Sequence, residues 1–214
     1  MEETLPKEKR IAFTAEGFFY GFKEVLRNRA TMSYTLCMGL FFGSFIGYLN
    51  SSQQIFQVQF ETGKLFTLYF GFLALIFGAA SLVNSQLVEK LGMKVICDYA
   101  IITIIISSAL FLALHTVSSI QLWMFLCYAT VLFFSFGLIF GNLNAMAMEP
   151  MGHVAGIASA VIGALSSIIS MSLGTFIGQL YNNSLIPIAT GFLVLGGVSL
   201  LIMKFIANKN AFAP

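Results

Sequence analysis

Uncharged amide side chains interrupt the long apolar stretches of this 214-residue sequence. Asn50, Gln53 and Gln54 end one such stretch, and Asn142 and Asn144 stand near the end of another. Polar groups are costly inside a bilayer, so they pair with one another or line water-filled cavities. Amides at these places can hydrogen bond a neutral or weakly polar molecule, and the sequence predicts all five as cavity lining. The alternatives are a wetted helix end for the first three and a helix cap or break for the last two.

Residue sets typical of catalysis or metal binding do not occur in the sequence. There is no GxSxG, no HExxH and no phosphate-binding glycine loop. Cys37, Cys97 and Cys127 stand singly in apolar runs, where a buried hydrophobic role is the simpler interpretation. His115 is expected at an outer helix end and His153 in an inner loop, so neither is a candidate for a proton relay or a metal site. The sequence therefore predicts a protein that is not an enzyme and holds no metal and no cofactor.

The composition is that of a membrane protein, with 58% hydrophobic and 9% charged residues, against about 25% charged residues in soluble domains. Eleven of the 20 charges fall within the first 29 residues. We therefore expect a cytoplasmic arm over 1–29 with a short amphipathic helix, a transmembrane bundle over 30–207 and a cytoplasmic tail over 208–214. The net charge of +2, without a basic stripe, argues against nucleic acid as a partner.

Six apolar stretches each approach the ~20 residues that a spanning helix needs. They run over about 31–50, 65–84, 95–115, 120–141, 154–179 and 185–206, and the first interruption is SSQQ at 51–54. Six crossings with short loops place ten of the eleven Lys and Arg residues on one side and Lys64 alone on the other. Because Lys and Arg accumulate in cytoplasmic loops, both termini are expected in the cytoplasm.

Residues 14–28 are expected to form a short amphipathic helix. Its apolar stripe consists of Phe18, Phe19, Phe22, Val25 and Leu26, with Lys23, Glu24 and Arg27 beside it. Aromatic and basic residues together suit a helix on a membrane surface. Packing against a partner domain is the other interpretation.

Small residues recur four apart in three of the stretches and predict close helix packing. Faces that slide during transport also need small residues, so this alternative stays open. The rows are Gly39, Gly43 and Gly47; Gly137 and Gly141; Ser159, Gly163 and Ser167; and Ser166, Ser170, Gly174 and Gly178.

The run GNLNAMAMEPMGHVAGIASAVIG, residues 141–163, closely resembles the tenth-to-eleventh helix region of Bcr/CflA-type multidrug efflux transporters in the major facilitator superfamily. That region has an Asn, an Ala-rich turn and then EPxGHxAGxASAxxG. The matching residues are Asn142, Glu149, Pro150, Gly152, His153, Ala155, Gly156, Ala158 and Ser159. Gly141 departs from the family pattern, which has Pro there.

Two weaker matches agree with this one in order. SQLVEKLGMK, residues 85–94, looks like a degenerate copy of the superfamily's cytoplasmic loop motif GxLADRxGRK and includes Glu89, Lys90, Gly92 and Lys94. ETLP at 3–6 resembles the segment that opens the linker between the two halves of such transporters. The resemblance thus covers nearly the whole chain, but only the second half of a family member.

The resemblance implies an all-α membrane protein in which six transmembrane helices form one half, a 3+3 repeat bundle, of a major facilitator fold. It implies a cell inner membrane location, a drug-like small-molecule substrate, a proton as the coupling ion and a complementary N-terminal six-helix half. The carboxylates that couple protons usually lie in that other half. The structural or gating role falls to Glu89, Lys90, Gly92, Lys94, Glu149, Pro150, Gly152, His153 and Gly156.

Two other functions remain open at this point. The glycine faces would also allow a homodimer of six-helix units that acts as a small-solute transporter or channel. A fragment that does not transport is the third possibility, and a membrane-embedded enzyme has no catalytic residues to support it.

Overall fold

The computed structural model describes residues 15–210, with side chains described for residue 17 and for 19–205. Its long helices are α1 (Ala15–Arg27), α2 (Arg29–Gln53), α3 (Phe66–Leu91), α4 (Met93–Val117), α5 (Leu122–Met148), α6 (Ala155–Gln179) and α7 (Ile186–Asn210). A π-helical turn covers Gln54–Gln59, and 3-10 turns cover Gly63–Leu65 and Glu149–Val154. The ETLP segment, the basic residues before residue 15 and the tail residues 211–214 lie outside the described residues.

Three predicted boundaries differ from the observed ones. The polar residues 51–54 were expected to interrupt the first stretch, but that prediction was wrong, because α2 and the following π-helical turn continue through them to Gln59. The Ser52 hydroxyl donates to the Leu49 carbonyl at 2.8 Å, so its polar group is satisfied within the helix. The helix α3 extends to Leu91, where Gly92 turns the chain with φ of 80°. The helix α7 extends to Asn210, three residues into the expected tail.

The helix α2 runs parallel to α6 and antiparallel to α5 and α7. Gly39, Gly43 and Gly47 of α2 lie against Ile169, Leu173 and Ile177 of α6, so the residue numbers rise together. The opposite order holds for α5 and α7. The antiparallel contacts are Phe42 with Phe140, Tyr48 with Phe125, Cys37 with Ser199 and Ser44 with Gly191.

The remaining helices complete an alternating arrangement. Cys97 and Ser108 of α4 contact Ile139 and Tyr128 of α5, which makes this pair antiparallel. The pair α3 and α5 is parallel, since Phe77 and Asn84 contact Gly137 and Asn142. Directions therefore alternate from α2 to α7, and the chain reverses at the Glu149–Val154 turn.

Within the described residues, five helical segments are long and apolar enough to cross a membrane, where the sequence predicted six. The difference lies in the segment Leu122–Gln179, which is 58 residues long and holds α5, the Glu149–Val154 turn and α6. A spanning helix needs about 20 residues. The reversal within this segment separates two helices of 27 and 25 residues.

The centre of the bundle is an aromatic cluster between α2 and α5. Phe45 lies 5.3 Å from Phe133 and 5.1 Å from Phe136 between ring centroids, and Tyr48 stands at 84° to Phe133. Edge-to-face and tilted pairs of this kind are favoured by the ring quadrupoles. Because α2 also contacts α6 and α7, it is the central helix of the bundle.

Two glycines one turn apart in α5 provide a test of this packing. A Cβ at Gly137 would lie 2.5 Å from the Phe77 carbonyl oxygen of α3, whereas nothing lies within 4 Å of one at Gly141. Gly137→Ala should therefore cost about 1–3 kcal/mol through overpacking. Gly141→Ala should be neutral or stabilise by up to about 1 kcal/mol, because Ala favours helix. Unfolding in SDS, followed by circular dichroism, measures both, and equal stabilities would contradict the assigned α3–α5 contact.

Candidate functional site

A groove of about 530 Å³ lies between α2, α5 and α6 and is open on one side. The helices α5 and α6 both pack on α2 but contact each other only marginally, so α2 forms the floor and the other two form the walls. Its lining residues are Met38, Phe42, Ile46, Phe140, Asn144, Ser159, Gly163, Ser166, Ser167, Ser170 and Met171. We call this cavity the groove.

The spacing of small residues on α2 explains the floor of the groove. Residues four apart share one face of a helix, and the row Gly39, Gly43 and Gly47 faces α6. The residues that directly precede these glycines are Met38, Phe42 and Ile46, which line the groove beside the contact.

The wall formed by α6 is built in the same way from two serine rows. The row Ser166, Ser170 and Gly174 is buried toward α2, while Ser159, Gly163 and Ser167 are exposed. The groove takes members of both rows. The sequence pattern alone had predicted that these rows serve helix packing.

The polar groups of the groove are hydroxyls and one amide. Ser166 and Ser170 donate their hydroxyl hydrogens to the carbonyls of Gly163 and Ser167, at 3.1 and 3.0 Å, so each offers a ligand its oxygen as an acceptor. Asn144 and Ser167 are exposed and carry both donors and acceptors. Among the described residues that line the groove, none carries a charge.

The apolar part of the groove is aromatic. Phe42 of α2 and Phe140 of α5 meet edge to face, with centroids 4.6 Å apart and planes at 70°. Met38 and Met171 add flexible, polarizable side chains that adapt to different shapes. A flat apolar molecule with a few uncharged hydrogen-bonding groups matches this combination.

Of the five predicted amides, Asn144 lines the groove and Asn142 does not. Asn142 is 3% exposed and forms a reciprocal pair with Asn84 of α3. Its Nδ2 donates to Asn84 Oδ1 at 2.7 Å and to the Leu138 carbonyl at 2.8 Å, and Asn84 Nδ2 donates back at 3.3 Å. The structure therefore places Asn142 in a contact between α3 and α5.

Three of the predicted amides are exposed and lie beyond the groove. Asn50 and Gln53 are near the C-terminal end of α2, and Gln54 begins the π-helical turn that follows. Asn50 lies one helical turn after Ile46 and packs beside Gly178 of α6. Gln53 donates to Gln57 at 3.4 Å along the same helix. The structure brings none of these three into the groove lining, so their role in binding stays a prediction.

The residues predicted to have a structural or gating role lie at the other end of the bundle, where α3 meets α4 and α5 meets α6. Lys94 pairs with Asp98 at 3.1 Å, one turn apart on α4. Glu89, Lys90 and Gly92 are exposed beside them.

The second group of these residues surrounds the reversal between α5 and α6. Glu149, Pro150, Gly152 and His153 form most of the 3-10 turn, and Gly156 follows as an exposed residue at the start of α6. His153 Nε2 lies 3.8 Å from Glu24 Oε1, which connects this turn to α1.

Most of the groove lining, including Met38, Phe42 and Phe140, was not predicted from the sequence. One signal in the sequence points to part of it. The row Ser159, Gly163 and Ser167 carries hydroxyls as well as small side chains, and two adjacent small rows on α6 are more than one helix contact needs.

Comparison with curated proteins found a similar transporter. The uncharacterized MFS-type transporter YdgK of Bacillus subtilis (strain 168) is 25% identical to the chain over 183 residues. These residues are 83% of the chain and 44% of the relative, so the chain spans less than half of the relative's length. No family model matches the chain. No solved structure matches it either.

The Asn84–Asn142 pair generates a double-mutant test. Asn142→Leu leaves the Asn84 amide without its partner and should destabilise the protein by about 1–2 kcal/mol. The double variant Asn84→Leu/Asn142→Leu should lose less than the sum of the single variants, with a coupling of about 0.5–2 kcal/mol. SDS unfolding measures all three. Asn144→Leu, two residues away and exposed, is the control and should leave stability unchanged, whereas strictly additive losses would contradict the pairing.

Proposed function

We propose that the chain is the C-terminal six-helix half of a proton-coupled efflux transporter of the Bcr/CflA type, present as a fragment or as a subunit of a split transporter. The observation that carries this proposal is the uncharged groove along α2, α5 and α6, which is open on one side. In such transporters the substrate site lies between two bundles that rock about it. The groove would form one wall of that site.

The proposed topology has six crossings, made by α2 to α7, in the inner membrane of the cell. The alternating directions of these helices support it, as does the reversal inside the 58-residue apolar segment. Among the described side chains, Lys64 lies at one end of the bundle, and the other Lys and Arg residues lie at the opposite end. These are Lys23, Arg27, Arg29, Lys90, Lys94 and Lys204. The positive-inside rule then places both termini in the cytoplasm.

The proposed partner is a complementary six-helix half that closes the open side of the groove. The helix α3 leaves surface available for such a partner, because only 11% of its apolar stretch is buried, against 56% for the stretch that includes α2. Its Gly71 and Gly78 leave open space around the backbone. Small residues of this kind allow another helix to approach closely. Similarity to a longer MFS-type transporter is consistent with this partner.

The proposed substrate is a drug-like molecule that is uncharged or weakly polar. Burying an unpaired charge in the groove would be costly, because no charged side chain lines it in the described part of the chain. Asn144, Ser159 and Ser167 would hydrogen bond the polar groups of the substrate, while Phe42 and Phe140 would contact its apolar part.

The residues at the cytoplasmic turns would act as structural or gating elements. The Lys94–Asp98 ion pair and the His153–Glu24 contact support this role, because they connect the turns to neighbouring helices. The amides Asn50, Gln53 and Gln54 would line the outer part of the same pathway. Asn142 would position α5 against α3 rather than contact substrate.

Dye transport tests the function. In cells that supply a complementary six-helix half, everted membrane vesicles with and without the chain should differ in uptake of the uncharged dye Nile red, and dissipating the proton gradient with nigericin should abolish the difference. Equal uptake across a panel of neutral and cationic dyes would contradict drug efflux. Chemical cross-linking of two differently tagged copies of the chain in the same vesicles tests the alternative homodimer, which would give a product that carries both tags, whereas a complementary half would give none.

Variants of the groove test the site itself. Asn144→Leu and Ser167→Val each remove one hydrogen-bonding group and should lower apparent affinity for a transported dye about 5–10-fold, since one hydrogen bond contributes about 1 kcal/mol. Ser172→Val is the matched control, because Ser172 is exposed on the same helix and bonds the Ile168 carbonyl at 2.8 Å. A change as large in the control would contradict the assignment of the groove.

A further inference from the structure

The helix α1 lies beside the long helices of the bundle and packs against α6 and α2. Gly21 lies against Ile157 of α6, so closely that a Cβ there would be 2.8 Å from Ile157 Cγ2. Val25, one turn later, is completely buried. Glu24 turns toward His153 of the Glu149–Val154 turn at 3.8 Å. These three residues define the inward face of α1.

The outward face of α1 combines exposed apolar and basic side chains. Phe19, Phe22 and Leu26 form a strip at i, i+3 and i+7, with 67%, 36% and 43% of their surfaces exposed. Lys23 and Arg27 are exposed along one edge of this strip. Because Glu24 faces the bundle, the charges on the outward face among the described side chains are basic.

The position of α1 is fixed by its short connection to α2. Asn28 separates the two helices, and its side chain accepts from the Thr31 amide at 3.0 Å as the N-cap of α2. Arg29, the first residue of α2, begins the first apolar segment. In the proposed topology, α1 therefore lies where that segment leaves the bilayer, at the level of the lipid headgroups.

We propose that the outward face of α1 binds an anionic lipid surface. Phe19, Phe22 and Leu26 enter the boundary between headgroups and acyl chains, and Lys23 and Arg27 pair with lipid phosphates. A helix with an apolar strip beside basic residues has the properties of an interfacial anchor. Exposed Lys90 and Lys204 at the same end of the bundle add to the attraction for an anionic leaflet. This inference requires membrane insertion but no transport activity.

An anionic leaflet fits the outward face better than a folded protein partner does. The apolar strip is a single row with a basic edge, and that pattern matches a planar layer of apolar chains beneath negative headgroups. The docking of α1 on α6 through Gly21 and Val25 presents the strip in a fixed direction. Anchoring α1 at the surface would thereby hold the reversal between α5 and α6, through the Glu24–His153 contact.

A fluorescent reporter in the full chain tests the proposal. Cys127 is exposed, while Cys37 and Cys97 are buried, so Phe19→Cys in a Cys127→Ser background can be labelled selectively with NBD. The labelled chain is reconstituted in nanodiscs of phosphatidylcholine alone or with 30% phosphatidylglycerol. Blue-shifted emission and quenching by doxyl lipids report contact with the bilayer. Both should increase with phosphatidylglycerol and decrease as salt is raised from 0.05 to 0.5 M.

Charge variants distinguish the contribution of the basic residues on α1 from that of the other basic residues at the same end of the bundle. Lys23→Gln/Arg27→Gln should lower the ratio of lipid-contacting to solvent-exposed label about 30-fold in anionic nanodiscs, at roughly 1 kcal/mol per basic residue. Lys90→Gln/Lys204→Gln removes the same charge from the same end and should have a much smaller effect. Protection of Cys37 from maleimide verifies folding in every variant.

Two outcomes would overturn the proposal. A label that stays solvent-exposed in both lipid compositions excludes the anchor. A label that is shielded equally in both compositions, without quenching by doxyl lipids, indicates that protein covers the outward face instead.

Discussion

The close approach of α2 and α6 is the constraint on which the rest of the bundle depends. A Cβ at Gly43 would lie 2.8 Å from Leu173, and one at Gly174 would lie 2.5 Å from Ile46, so these backbones are in contact over two turns. Lipid provides no hydrophobic drive for helices to associate, and packing of this kind replaces it. The helices α5 and α7 pack on other sides of α2 and run antiparallel to it.

The groove follows from that contact. Since α6 occupies the glycine side of α2 and the aromatic cluster attaches α5 to another side, the two walls diverge on either side of Met38, Phe42 and Ile46. The positions of its polar groups then depend on rigid helices rather than on loops. By contrast α3 packs mainly on α5, through Gly137 and the Asn84–Asn142 pair, and leaves most of its apolar surface uncovered.

The sequence predicted the helices well because a length of about 20 apolar residues is a strong physical signal. The sequence also predicted the glycine contacts of α2, because GxxxG motifs in membrane helices mainly serve the close packing of two helices. It failed at residues 51–54, where polarity alone suggested a loop although serine and amide groups can be satisfied within a helix. The site was harder to predict, because the difference between Asn142 in a helix contact and Asn144 in the groove is two residues of helical rotation. The difference depends on which face of α5 a neighbouring helix covers. The sequence of α5 by itself does not show this.

The distribution of charge limits what this bundle can do alone. Within the described side chains, Lys94 and Asp98 are paired near the start of α4, and the central parts of α2 to α7 carry no Asp, Glu, Lys or Arg. A proton that crosses the membrane on a side chain needs an ionisable group at depth. Under the proposed function, that group must come from a second bundle, while the groove supplies uncharged contacts to the substrate. The coupling of proton and substrate would then reside in the relative movement of two bundles, and the smooth, uncharged faces of α3 and α6 suit a surface that moves against another.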